Sequence, residues 1–99
     1  PVYCYDLNAI MKNFIELCGQ QLQQKSIGIA VSAGGTRSYM APMSMIQSLM
    51  LDFRCHVVPR YVYLTSEDFD SSGNTVTPES KKRLEELSAA VVRLTSLQV

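Results

Sequence analysis

The chain has 99 residues, of which 46% are hydrophobic and 18% charged, and its nine basic and nine acidic residues give a formal net charge of zero. This composition is ordinary for one small globular domain, and the balanced charge provides no basic stripe for nucleic acid. No apolar run approaches the roughly 20 residues that span a bilayer, so no membrane partner is expected. Three widely spaced cysteines, Cys4, Cys18 and Cys55, indicate neither a disulfide framework nor a metal site and predict reduced thiols in a cytoplasmic protein.

The N-terminal segment predicts a helix that follows a loop bearing two tyrosines. Asp6 or Asn8 can cap the helix, and Gly19 suits the position just after its end. Four apolar side chains then fall on one face of this helix, as in an amphipathic segment. They are Ile10, Phe14, Leu17 and Cys18.

The centre of the sequence, residues 26–39, predicts a strand, a glycine loop and the start of a helix. Residues 27–31 form a near-continuous apolar run, which is typical of a parallel strand covered by helices on both faces. Small residues follow, and Gly34 and Gly35 can take positive φ and let a flat or anionic ligand approach the backbone. Ligands of open α/β sheets collect at such strand ends, although a tight turn without a ligand is the alternative.

Residues 39–53 predict a second helix, with Ser38 available as a cap and Pro42 near the first turn. Only four of these fifteen residues are polar, and Asp52 alone is charged. Because the helix lacks a charged outer stripe, we expect both of its sides to meet protein, and its four methionines suit such a surface. This predicts a homodimer or homotetramer formed through residues 39–53, with a well-buried core helix as the alternative.

The C-terminal part predicts a strand, a loop and a third helix. Pro59 demands a bulge or an unpaired edge within the strand at residues 55–64, and the lone His56 is expected to be structural. Residues 65–76 predict a solvated loop, because their carboxylates lack the spacing of a calcium loop. Thr77 caps the final helix, which has a proline at its first position. Its predicted buried stripe consists of Leu84, Leu87, Val91 and Leu94.

The predicted order is therefore helix, strand, helix, strand, helix, with two parallel strands. Two such strands cannot form a sheet that is buried on both faces, because these folds place several strands side by side. Something must therefore lie against the free edge of residues 27–31. We expect an N-terminal half of the same domain to supply it, and a second molecule is the alternative.

Four motifs follow one another along the chain. They are Pro-Val-Tyr-Cys-Tyr at residues 1–5, Lys-Asn at 12–13, Ser-Ala-Gly-Gly at 32–35 and Val-Val-Pro at 57–59. In this order and spacing they resemble the C-terminal half of the NADPH-dependent FMN reductases. The resemblance covers essentially the whole chain and implies a flavodoxin-like, three-layer α/β fold with a parallel sheet. Residues 1–99 would form the C-terminal half of that single domain.

The resemblance also implies a flavin site built from two loops, with FMN and NADPH as cofactors. One loop would line one side of the isoalloxazine ring with Pro1, Val2, Tyr3, Cys4 and Tyr5. The other would approach the ring with Ala33, Gly34 and Gly35. Arg37 would steer the flavin or a nicotinamide nucleotide phosphate, and a solvated arginine is the alternative. Cys4 stands where the family usually has Asn or Ser.

The implied function is that of an FMN-dependent NAD(P)H oxidoreductase of the flavin or quinone reductase type. Hydride would pass from NADPH to bound FMN and on to an acceptor, and no side chain need act as an acid or base. The family's Ser/Arg-rich phosphate loop has no counterpart here, so we expect the chain to be inactive alone. The alternative is a non-enzymatic α/β module that self-associates through residues 39–53. A serine hydrolase is disfavoured, since the sequence contains no Gly-x-Ser-x-Gly elbow.

Overall fold

The computed structural model of the chain describes residues 1–74 and 76–98. Short strands alternate with helices along it. The strands and α-helices are β1 (Val2–Tyr3), β2 (Asp6–Leu7), α1 (Ala9–Cys18), β3 (Ser26–Ile27), β4 (Ala30–Ser32), α2 (Met43–Gln47), β5 (His56–Val57), β6 (Val62–Leu64) and α3 (Pro78–Ser96). Turns of 3₁₀ helix lie at Gly19–Leu22, Thr36–Ser38 and Ser66–Asp68, and a π-helical turn covers Ser48–Asp52.

The two predicted strands lie side by side and are parallel, as expected. β3 pairs with β5, and β4 pairs with β6, so both predicted strands continue across a short interruption. The interruption lies at Pro59. The Val58 N–H donates to the Ile27 carbonyl at 2.8 Å and the Val62 N–H donates to the Ile29 carbonyl at 3.0 Å. Between these two hydrogen bonds, one strand advances four residues, from Val58 to Val62, while the other advances two, from Ile27 to Ile29. The extra residues form the bulge predicted from the proline.

Helix α3 covers one face of this small sheet. Its start is as predicted: the Thr77 hydroxyl accepts from the Ser80 N–H, and Pro78 occupies the first helical position. Its predicted apolar stripe is half-buried. A Cβ added to Gly28 would lie 2.6 Å from Cγ2 of Val91, so the helix packs almost directly on the strand backbone. Any side chain at residue 28 would therefore force Val91 to shift.

We expect Gly28→Ala to lower the free energy of unfolding by about 1–3 kcal/mol, because the added methyl group overpacks the contact with α3. Urea unfolding followed by circular dichroism measures this change. Gly34→Ala is the matched control, since its Cβ would meet no atom within 4 Å. Equal midpoints for the two variants would contradict the close approach of helix and strand.

The hydrophobic core lies on the other face of the sheet. It contains Ile15, Ile29, Met45, Leu49, Cys55, Tyr61 and Tyr63. Helix α1 is capped by Asn8, whose side-chain oxygen accepts from the Met11 N–H at 2.9 Å, and it ends at Cys18, directly before Gly19, as predicted. The predicted face does not enter the core: Ile10 is 83% exposed and Leu17 76%. The helix is turned so that Ile15 packs inward instead.

The predicted continuous helix over residues 39–53 is wrong. The Ala41 N–H bonds the Ser38 carbonyl and the Met43 N–H bonds the Met40 carbonyl, so the chain first makes two successive turns. Helix α2 begins only at Met43, because Pro42 cannot donate a helical hydrogen bond. Neither the start of the 3₁₀ turn Thr36–Ser38 nor that of α2 has a side-chain cap, so the predicted capping role of Ser38 is also wrong.

The predicted solvated loop at residues 65–76 is also only partly correct, and its residue 75 lies outside the described residues. Asp68 ties the end of β6 to the start of α3. Its carboxylate accepts from the Ser80 hydroxyl at 2.6 Å and from the Thr65 N–H at 2.7 Å. Its carbonyl accepts from the Thr77 N–H at 2.8 Å. This loop is therefore a junction between two elements.

The edge of β3 and β4 that faces away from β5 and β6 pairs with no strand in the described part of the chain. Beside it lies a groove of about 280 Å³, lined by apolar side chains of α1, α2 and the strand. Met11, Phe14 and Ile27 are among these side chains. This is the edge, at residues 27–31, that the sequence predicted to remain uncovered when only two strands are present.

Candidate functional site

The first predicted loop is a β-hairpin, which the sequence analysis missed. β1 and β2 are antiparallel, with Tyr3 opposite Asp6, and Cys4 and Tyr5 form the two-residue turn. Both turn residues have left-handed backbone conformations, with φ values of 51° and 59°. Two positive φ values in a two-residue hairpin are typical of a type I′ turn, which favours Asn and Gly. Non-glycine residues in this region cost about 1–2 kcal/mol each, and such strain clusters at functional sites.

Hydrogen bonds to the neighbouring helices hold the hairpin in place. The Ser44 hydroxyl, at the start of α2, donates to the Asp6 carboxylate at 2.6 Å. This bond, followed by the bond from the Leu7 N–H, keeps the pKa of Asp6 below its usual value. The Asn8 side-chain amide donates to the Pro1 carbonyl at 3.2 Å. The hairpin is therefore attached to both α1 and α2.

The second predicted loop, the glycine loop, follows β4 directly. The Ala33 N–H donates to the Leu64 carbonyl at 2.8 Å, so the sheet continues into the loop. The expected positive φ is wrong: Gly35 is extended at −158°, and among the described glycines only Gly73 has a positive φ. A Cβ on Gly34 or Gly35 would meet no atom within 4 Å. These glycines therefore leave open surface above the strand end.

A cluster of tyrosines lies beside the glycine loop. The Tyr63 hydroxyl donates to the Gly35 carbonyl, and the Tyr61 hydroxyl donates to the Tyr39 carbonyl at 2.6 Å. The Tyr39 ring centre lies 5.2 Å from that of Tyr61 and 5.4 Å from that of Tyr63. Burial raises the pKa of Tyr61, with smaller contributions from Tyr39, Tyr5 and Tyr63. The cluster is therefore tied to the glycine loop through the Gly35 carbonyl.

The predicted site residues do not all lie at this cluster. Gly35 contacts it through its carbonyl, and Gly34 and Tyr5 are exposed. Tyr3 borders an open groove of about 640 Å³ that it shares with Pro1 and α1, on the side of the hairpin that meets that helix. Val2 is half-buried within β1, Cys4 is exposed at the turn, and Ala33 is half-buried at the start of the glycine loop.

Arg37 lies exposed in the 3₁₀ turn at Thr36–Ser38. The one ion pair found within the described residues joins Arg83 to Glu79, so it does not involve Arg37. The assignment of Arg37 and the other eight residues to a flavin stays a prediction.

Sequence analysis missed the tyrosines that support the glycine loop. Tyr61 and Tyr63 alternate along the strand and therefore project from the same face. That alternation was visible in the sequence. The carbonyl groups that accept from the two hydroxyls, however, belong to Tyr39 and Gly35, which are 22 and 28 positions away along the chain. Ser44 was missed for a similar reason, since its partner Asp6 lies 38 positions away.

No group of three or more His, Cys, Asp or Glu side chains is arranged to hold a metal ion in residues 1–74 and 76–98. Within the same residues, no helix combines the length and apolarity needed to cross a membrane.

The architecture is that of an open α/β protein, with helices on both faces of parallel strands and an accessible loop at a strand end. It belongs to the flavodoxin-like class. The family model for "NADPH-dependent FMN reductase" matches residues 1–70, and the chain belongs to this family. The matched residues include both loops and the tyrosine cluster, and the resemblance inferred from the motifs is confirmed.

A relative from Geobacillus thermodenitrificans (strain NG80-2) carries the name NAD(P)H-dependent FAD/FMN reductase. The chain is 25% identical to it over 95 residues, which cover 95% of this chain and 51% of that protein. The chain thus spans about half the length of the curated relative it matches.

Proposed function

We propose that this chain is part of an FMN-dependent NAD(P)H oxidoreductase of the flavin or quinone reductase type. When bound, the flavin accepts hydride from NADPH and passes electrons to an acceptor. The observation that carries the proposal is the open glycine loop at the end of β4, where Gly34 and Gly35 border open space and the Gly35 carbonyl is held by the buried Tyr63. Membership of the NADPH-dependent FMN reductase family supports the same conclusion.

The residues present suit a flat aromatic ring. Gly34 and Gly35 carry no side chain and border open space, so a ring can approach their backbone closely. Tyr5, 54% exposed at the tip of the hairpin, supplies an aromatic surface for the ring. The Ser44 bond to Asp6 fixes the hairpin on α2 and thereby the direction from which Tyr5 approaches. The role of these residues is to bind and orient the cofactor.

We further propose that residues 1–99 form the C-terminal half of a single flavodoxin-like domain. The edge of β3 and β4 that no strand among the described residues pairs with supports this, because a buried parallel sheet continues on both sides of an inner strand. The exposed Ile10 and Leu17 on α1 also support it, as does the half-length match to the relative. The missing strands would carry the phosphate-binding loop, so the 99-residue chain alone is inactive.

The proposed partners are NADPH and a second copy of the protein in a cytoplasmic homodimer or homotetramer. The segment over residues 39–53 would form the contact, because it places four apolar side chains on the surface. These are Met40, Met43, Met50 and Leu51. The same surface favours the second candidate function, a non-enzymatic module that self-associates. Sedimentation of the protein as a monomer would exclude that candidate.

Titration of FMN into the protein at its natural length tests the proposed function. We expect the flavin fluorescence to be quenched on binding and NADPH to bleach the visible flavin band anaerobically. The 99-residue chain alone is the control, and we expect little or no quenching from it. A full-length protein that leaves FMN fluorescence unchanged would overturn the proposal.

A further inference from the structure

We propose that Tyr63 is a positioning residue of the flavin site. Its hydroxyl fixes the peptide group between Gly35 and Thr36, so that the Thr36 N–H is presented as a hydrogen-bond donor to the bound flavin. This inference rests on the proposed function and names a residue outside the two loops that were expected to hold the flavin.

The geometry of one peptide group carries the inference. Tyr63 lies in β6 opposite Val31 of β4, and its side chain reaches forward to the loop that follows β4. There its hydroxyl donates to the Gly35 carbonyl. The carbonyl and N–H of a trans peptide point in opposite directions. Holding the Gly35 carbonyl toward Tyr63 therefore turns the Thr36 N–H away from Tyr63.

The Thr36 N–H has no acceptor within the part of the chain that the structure describes. The preceding residue, Gly35, borders open space, since a Cβ added to it would meet no atom within 4 Å. An exposed amide that points away from Tyr63, next to a surface without side chains, can donate to a carbonyl or ring nitrogen of a flat ligand. A flavin carries several such acceptors.

Few other contacts define this peptide's orientation. The Ala33 N–H anchors the start of the loop on Leu64, two residues earlier. The Ser66 hydroxyl approaches the Gly34 carbonyl at 3.5 Å, which is long for a hydrogen bond between oxygens. Tyr63, 7% exposed and packed against the Tyr39 ring, has little freedom to move. Its hydroxyl is thus the main side-chain constraint on the loop.

Tyr63→Phe and Tyr61→Phe provide a matched comparison in the protein at its natural length. Tyr63 lies in β6 and Tyr61 directly precedes it; each variant removes one hydroxyl from a buried tyrosine, and both hydroxyls donate to a backbone carbonyl. A merely structural role therefore predicts similar losses for the two variants. The Tyr61 hydroxyl bonds the Tyr39 carbonyl, which lies beyond the glycine loop. Only Tyr63→Phe releases the Gly35–Thr36 peptide.

We expect Tyr63→Phe to weaken FMN binding about tenfold, and Tyr61→Phe to weaken it at most about threefold. The visible absorption band of bound FMN should shift in Tyr63→Phe and remain in place in Tyr61→Phe, because a donor to the ring changes its electronic spectrum.

The possible results distinguish a failure of the proposed function from a failure of the role of Tyr63. An unmodified protein that binds no FMN overturns the proposed function and this inference together. An unmodified protein that binds FMN, with equal affinities and spectra for the two variants, overturns the role of Tyr63 and leaves the proposed function in place. A selective loss in Tyr63→Phe, accompanied by the spectral shift, supports both.

Discussion

Gly35→Val should weaken FMN binding by the natural-length protein at least about a hundredfold and change its free energy of unfolding by less than about 1 kcal/mol. A Cβ at Gly35 meets no protein atom within 4 Å, and its extended backbone suits a β-branched residue. The added methyl groups would instead occupy the open surface proposed for the ring. A hundredfold loss corresponds to about 3 kcal/mol, within the range of a steric clash in a packed site.

Fluorescence titration with FMN and urea unfolding measure the two quantities on the same variant. Gly35→Ala serves as a graded control, with an intermediate loss of affinity expected from its single methyl group. If Gly35→Val binds FMN as tightly as the unmodified protein, the ring does not approach this loop. A loss of stability in parallel with affinity would instead show that the glycine is needed for folding.

Asp68→Ala should lower the free energy of unfolding at pH 7 by about 2–3 kcal/mol, since hydrogen bonds to charged groups contribute about 1.5–3 kcal/mol each. The variant leaves the Thr65 N–H and the Ser80 hydroxyl without their acceptor, and Ser80 is 1% exposed. Urea unfolding at pH 7 measures the loss. Glu67→Ala is the matched control, because it removes an equal charge from the same turn at an exposed position. Equal losses in the two variants would contradict the junction role of Asp68.

The effect of Asp68 should also depend on pH. The Ser80 hydroxyl, followed by the Thr65 N–H, holds the pKa of this carboxyl below its ordinary value of 3.8. A carboxyl with a lowered pKa in the folded state contributes its stability above the unfolded pKa, and loses it as the pH falls through the folded pKa. The difference between Asp68→Ala and the unmodified protein should therefore narrow below about pH 4. A constant difference between pH 7 and pH 3 would contradict this assignment.

The sequence by itself determined those features that depend on neighbouring residues. Asn8 and Thr77 cap their helices because a short polar side chain meets an N–H three positions later. Pro59 breaks its strand because it has no N–H to donate. The apolar run at residues 27–31 predicted a parallel strand because such strands are covered on both faces, and the order of four motifs indicated the family.

Only the tertiary structure decided how these elements face one another. The turn conformation of Cys4 and Tyr5 depends on a hairpin held by Ser44, far along the chain. The inward face of α1 depends on the core that Ile15 joins with Ile29 and Met45, so Ile15 is buried and Ile10 is not. The hydrogen bond from Tyr63 to Gly35 joins residues 28 positions apart. A sequence pattern records each residue's neighbours along the chain, whereas the candidate site depends on partners that meet only after the strands have paired.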